Sequence, residues 1–111
     1  MLSFDDLMSD VEQEVEEKGL PFKCKDGKIT LLRPVLLLGG AELKNVLALL
    51  PKLADEKVDV HDKLEYAAAI LIAAADNKVS LRKSLDALPP TKYLDIVSEW
   101  TEKAGTDLPE S

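Results

Sequence analysis

The chain has 111 residues, with 14 Lys and Arg against 21 Asp and Glu, which gives a formal net charge of −7. A chain of this length is one domain by size, and its 46% apolar residues can fill a core without disulfides. The acidic balance argues against nucleic-acid binding, which needs a basic face. A single cysteine, acids near the start and short apolar runs lead us to expect no internal disulfide, no signal peptide and no membrane span.

The first segment, 3–18, has the spacing of an amphipathic helix. Ser3 is a suitable N-cap, and Gly19 follows the last helical position. The apolar stripe consists of Phe4, Leu7, Met8, Val11 and Val15. The opposite face is strongly acidic.

A hairpin is predicted next, because Asp26-Gly27 suits the central positions of a two-residue turn. Pro34 ends the second strand, since proline cannot donate to a strand ladder. The implied register pairs Cys24 with Ile29 and Phe22 with Leu31. It predicts that all four side chains share one buried face.

The rest of the chain is predicted to be helical, with helices from about Ala41, over 60–75, over about 80–88 and over about 91–104. Pro51 should kink or divide the first of these. The second is apolar on every side beyond Tyr66, which is typical of a central helix. The expected fold class is α+β, mostly α: an N-terminal helix, a β-hairpin and a bundle of about four helices. We expect residues 1–104 to form this domain and 105–111 to form a flexible tail.

No catalytic, cofactor or metal site is predicted from the sequence, and we expect no enzymatic activity. His61 is the only histidine, and with Asp62 and Glu65 it forms at most a weak candidate for a metal site; an exposed polar helix start explains it better. Cys24 is expected to be a buried small hydrophobe rather than a reactive thiol. Gly39-Gly40 lacks the residues of a phosphate-binding loop.

Charge is unevenly distributed along the first part of the chain. Residues 1–21 carry a net charge of −6, and residues 22–33 carry +3. The two segments can neutralise each other within one molecule, or the acidic helix of one copy can contact the basic hairpin of another. The basic residues that make this second arrangement a hypothesis for self-association are Lys23, Lys25, Lys28 and Arg33.

Apolar residues are concentrated after the hairpin, at Leu36, Leu37 and Leu38. They form either a segment over the core or an exposed patch for a partner or another copy. Trp100 raises the same alternative, because tryptophan is common both in cores and at the centres of interfaces. These four residues complete the set of candidate contact residues.

One stretch of sequence carries a family resemblance. After the acidic first helix comes Pro21-Phe22-Lys23-Cys24-Lys25-Asp26-Gly27-Lys28-Ile29-Thr30-Leu31-Leu32-Arg33-Pro34, followed by Leu- and Ala-rich helices and a last helix ending in Glu99-Trp100-Thr101. In this order the chain resembles the small tail assembly chaperones of long-tailed, siphovirus-type phages, especially phages of actinobacterial hosts.

The resemblance implies a binding protein without catalysis or cofactor. Such chaperones coat the long helical tape measure protein in the host cell cytoplasm and are absent from the mature virion. Many are also made as a longer, frameshifted product that is thought to recruit tail tube subunits. Homo-oligomers are expected, so that many copies can follow one long chain. The alternative is a small acidic adaptor or regulatory module that binds one folded protein partner.

Overall fold

The structure, a computed structural model, describes residues 2–104 of the chain; the predicted tail, 105–111, lies outside that range. Helix α1 (Phe4–Lys18) is followed by strands β1 (Leu20–Lys23) and β2 (Ile29–Leu32) and by a 3₁₀ helix (Val35–Leu37). Four helices follow: α2 (Gly40–Ala54), α3 (Val60–Ala74), α4 (Lys78–Ala87) and α5 (Thr91–Ala104). This architecture confirms the predicted α+β, mostly α fold.

The ends of the helices follow local sequence signals. The Ser3 hydroxyl accepts a hydrogen bond from the Asp6 amide at the start of α1, as predicted. Asn77 caps α4 in the same way, so that helix begins at Lys78, before the predicted start near Ser80. Of the two effects predicted for Pro51, a kink or a division, the division is wrong, because α2 continues through this residue to Ala54. Pro51 has no N–H to donate to the Leu47 carbonyl one turn earlier, so α2 lacks one helical hydrogen bond near its C-terminal end.

The hairpin register differs by one residue from the prediction. The ladder pairs Leu20 with Leu32, Phe22 with Thr30 and Lys23 with Ile29. The Lys28 carbonyl accepts from the Cys24 amide and the Gly27 amide donates to the Cys24 carbonyl, so the loop contains Lys25, Asp26 and Gly27. Gly27 has a φ of 85°, the left-handed conformation that a three-residue hairpin loop needs at this position.

This shift reverses the predicted faces of β2. Thr30 and Leu32 are buried, whereas Ile29 is 66% exposed and Leu31 is half-buried on the opposite face. The prediction that Ile29 and Leu31 share the buried face with Cys24 is therefore wrong. The prediction that Cys24 is buried is confirmed.

The core lies around α3, which packs against α2, α4, α5 and β2. Ala67, Ile70, Leu71 and Ala74 of α3 are fully buried, which confirms the central position expected from its apolar sequence. The end of α3 also pairs with the hairpin through a bridge between Leu32 and Ala75. The helical core and the hairpin therefore form one packed unit.

Candidate functional site

An apolar groove of about 550 Å³ lies between α1 and the segment that follows the hairpin. One wall is the inner face of α1, and the other is formed by β2 and the 3₁₀ helix. The apolar lining residues are Met8, Val11, Val15, Leu31, Leu36, Leu37 and Leu38; the charged ones are Glu12, Glu16, Arg33, Glu42 and Asp76.

The first wall of the groove continues into an exposed apolar stripe along α1. Val15 is the only buried residue that the helix contributes. Towards its N-terminus, Phe4 is 76% exposed, Leu7 is 51% exposed and Met8 is 38% exposed. These residues recur at helical spacing on one face, so within residues 2–104 the outer half of this face has no apolar cover.

The second wall is shaped by the 3₁₀ helix. This helix has three residues per turn, so Val35 and Leu38 point to the same side, and both are buried in the core. Leu36 points away from the core and is 72% exposed, and Leu37 is half-buried in the groove. The three leucines were predicted to lie either over the core or in an exposed patch. In the structure Leu38 belongs to the core, and Leu36 belongs to the exposed surface.

Arg33 lies at the base of the groove and takes part in a network inside the molecule. Its guanidinium donates to both carboxylate oxygens of Glu42, at 3.1 and 3.2 Å, and to the carbonyls of Ala73 and Ala74 at the end of α3. Lys78 donates to carbonyls of the same turn and lies 2.7 Å from Glu42. Two cations thus satisfy the C-terminal carbonyls of α3, where the helix dipole favours positive charge.

The two cations also stabilise the charged form of Glu42. The hydrogen bond from Lys78 and the nearby Arg33 guanidinium hold the pKa of this carboxyl below its ordinary value of 4.5. Arg33 was a candidate for contacts with a partner, but in the structure it is occupied by Glu42 and α3. Glu42 lies nine residues from Arg33 in the chain and the Ala73 carbonyl lies 40 residues away, and no sequence pattern marked Glu42 or Lys78 as partners.

Asp76 joins the groove to the hairpin. Its carboxylate accepts hydrogen bonds from the Thr30 hydroxyl at 2.9 Å and from the Leu31 amide at 2.8 Å. The Thr30 hydroxyl in turn accepts from the Asn77 amide. These contacts fix β2 against the turn between α3 and α4, and they leave an exposed carboxylate at the edge of the groove.

Lys23, Lys25 and Lys28 are exposed on the hairpin, as a contact surface would require. The loop itself is held by α4: the Ser80 hydroxyl donates to Asp26, and the Lys25 amide donates to the Ser84 hydroxyl. The hydrogen bond from Ser80, together with one from the Lys28 amide, lowers the pKa of Asp26. No ion pair joins α1 to the hairpin within residues 2–104.

Trp100 is a core residue, 1% exposed, and not a surface residue. Its indole N–H donates a 2.8 Å hydrogen bond to the backbone carbonyl of Arg33. Of its two predicted roles, the structure favours the one in the core, because a partner can reach this side chain only if α5 moves away.

The other candidates from the sequence do not form a chemical site. His61 lies 3.5 Å from Glu65 on the exposed face of α3. The part of the chain that the structure describes contains no group of three or more His, Cys, Asp or Glu that could hold a metal ion. Nor does any helix in that part have the length and apolarity to cross a membrane.

Comparison of the chain with protein-family models, with curated proteins and with solved structures found no significant match.

Proposed function

We propose that this protein is a phage tail assembly chaperone that binds the tape measure protein, keeps it soluble and helps tail tube assembly. It acts by binding rather than by catalysis, in the host cell cytoplasm, and does not remain in the mature virion. The observation that carries this proposal is the exposed apolar face of α1, which continues into the groove beside Leu36 and Leu37.

This surface suits a client with long amphipathic helices. A helix laid against the α1 stripe and the groove would cover Phe4, Leu7 and Leu36. Covering one large apolar side chain is worth about 1.5–3 kcal/mol. A few such contacts give each copy modest affinity, and many copies along one long client hold it more strongly because each binds near its neighbour.

The charge of the chain suits the same role. A net charge of −7 on each copy would keep a coated, otherwise aggregation-prone helical protein in solution. The family resemblance supplies the identity of the client and two further parts of the proposal. Copies self-associate along the tape measure protein, and a frameshifted longer product contacts the tail tube protein.

Co-expression with the long helical protein encoded next downstream tests the proposal. We expect that protein to be soluble only together with this chain and to elute with it at a ratio of several copies to one. If it stays insoluble, or never co-purifies, the proposal fails. A stable complex of one copy with one folded protein, without any effect on solubility, would favour the adaptor alternative.

A further inference from the structure

We infer that the groove between α1 and the 3₁₀ helix selects an amphipathic helix whose polar flanks are cationic. This inference rests on the proposed function, because it names the chemistry of the client segment that occupies the groove. It combines three observations: an apolar floor, an acidic rim and the lack of neutralising partners for that rim.

The floor of the groove accepts apolar side chains. Leu31, Leu37 and Val11 are half-buried there, and Leu36 stands exposed at the edge. A volume of about 550 Å³ accommodates several large side chains from one face of a helix. Beyond Met8, which lines the groove, the exposed stripe of α1 extends this floor by about one helical turn, through Leu7 and Phe4.

The rim of the groove is acidic on both sides. Glu12 and Glu16 lie along the α1 side, and Asp76 lies on the opposite side. All three carboxylates are exposed, and none of them forms an ion pair within residues 2–104. Arg33 is the only cation in the lining, and Glu42 already neutralises it.

The same charges argue against a second α1 as the occupant. The first 21 residues carry a net charge of −6. Two α1 helices packed face to face would therefore bring like charges close together, where they repel each other. A helix with Lys or Arg flanking its apolar face would instead pair with Glu12, Glu16 and Asp76 while its apolar residues enter the groove. Each exposed pair adds little alone, so the charges select the partner more than they set its affinity.

Three synthetic peptides of about 18 residues, or five helical turns, test this inference by fluorescence anisotropy. The first carries a leucine face flanked by lysines, the second the same face flanked by glutamates, and the third the first composition in scrambled order. We expect the first peptide to bind about tenfold more tightly than either of the others, with a preference that shrinks between about 50 and 300 mM salt. Equal binding of the lysine and glutamate peptides would overturn the inference.

Matched variants locate the binding. Removing two rim charges by Glu12→Gln with Glu16→Gln should weaken the lysine peptide roughly fivefold, because both side chains line the groove. Asp10→Asn with Glu17→Gln removes the same charge from the opposite side of α1 and should change binding little. Equal losses of affinity in the two double variants would mean that the overall negative charge of α1 attracts the peptide. That result would contradict binding in the groove.

The apolar contribution has its own pair of variants. Leu36→Ser should weaken the lysine peptide about tenfold, and Val79→Ser, at a comparably exposed position on α4, should not. If Leu36→Ser binds like the wild type, or if it instead dissolves an oligomer of this chain in sedimentation, the occupant is not a cationic client helix. If the downstream protein is still kept soluble in that case, the proposed function stands and only this inference fails.

Discussion

The indole Nε1 of Trp100 donates a 2.8 Å hydrogen bond to the backbone carbonyl of Arg33, 67 residues earlier in the chain. This bond ties α5 to the segment that leaves the hairpin. The side chain of Arg33 meanwhile holds the end of α3 and Glu42. One residue therefore connects the last helix, the central helix and the wall of the groove.

Trp100→Phe removes this bond while keeping an aromatic ring in the core. We expect the free energy of unfolding to fall by about 2–3 kcal/mol, from the lost hydrogen bond and the smaller ring. Leu94→Ala, on the partly exposed side of the same helix, should cost under about 1 kcal/mol. Urea denaturation measures both. Unchanged stability of Trp100→Phe with loss of client binding would instead make Trp100 a contact residue.

The network around Glu42 makes stability depend on pH. The pKa of Glu42 is lower in the folded protein than its ordinary value of 4.5, so its contribution is present above that value and is lost as pH falls through the folded pKa. Glu42→Gln should lower the free energy of unfolding by about 1 kcal/mol at neutral pH, because solvent screens these partly exposed charges.

The difference in unfolding free energy between the wild type and Glu42→Gln should therefore shrink as the pH is lowered from 6 towards about 3. Glu56→Gln, an exposed change in the loop between α2 and α3, serves as the control and should show a small difference at every pH. A Glu42→Gln difference that stays constant across this range would contradict the network.

The left-handed backbone of Gly27 predicts opposite effects of alanine at two glycines. Gly27→Ala should destabilise the protein by about 1 kcal/mol, because a Cβ strains the φ of 85° even though the surrounding space is open. Gly40→Ala, also in open space but in the first turn of α2, should be neutral or stabilise by up to about 1 kcal/mol. Thermal unfolding measures the stability of both variants, and a neutral Gly27→Ala would contradict a left-handed conformation at position 27.

Self-association through the hairpin is tested by reversing its charge. Lys23→Glu, Lys25→Glu and Lys28→Glu together should abolish oligomers without loss of helicity, because all three side chains are exposed. The control is the triple reversal of Lys44, Lys57 and Lys103 to Glu, at exposed positions outside the hairpin. It has the same net charge as the hairpin variant and should leave the oligomers intact. Sedimentation velocity measures the size of the oligomers. An unchanged oligomer in the hairpin variant would show that these lysines do not mediate self-association.

The fold class and the helices were predictable because periodicity and capping signals are local. Ser3, Gly19 and the apolar run after Tyr66 each acted as their sequence indicates. The hairpin register was not predictable from Asp26-Gly27 alone. It depends on Asp76, which binds Thr30, and on Ser80 and Ser84, which hold the loop from α4.

The candidate site was predictable in part. The apolar stripe of α1 and the exposed Leu36 follow from residue spacing and local crowding. The division between Leu36 and Leu38 depends on a 3₁₀ turn that periodicity did not indicate. The role of Arg33 could not be inferred, because the Glu42 carboxylate and the α3 carbonyls reach it only in the folded chain.

The most direct test of the account asks whether the α1 face keeps a client in solution. The downstream helical protein is co-expressed with the wild-type chain, with Phe4→Ser/Leu7→Ser and with the control Val60→Ser/Val79→Ser, and the soluble client is measured. Both double variants change exposed apolar residues. We predict that only the Phe4/Leu7 variant loses the soluble client while its own fold and yield are kept. Full solubility of the client with that variant would contradict the account.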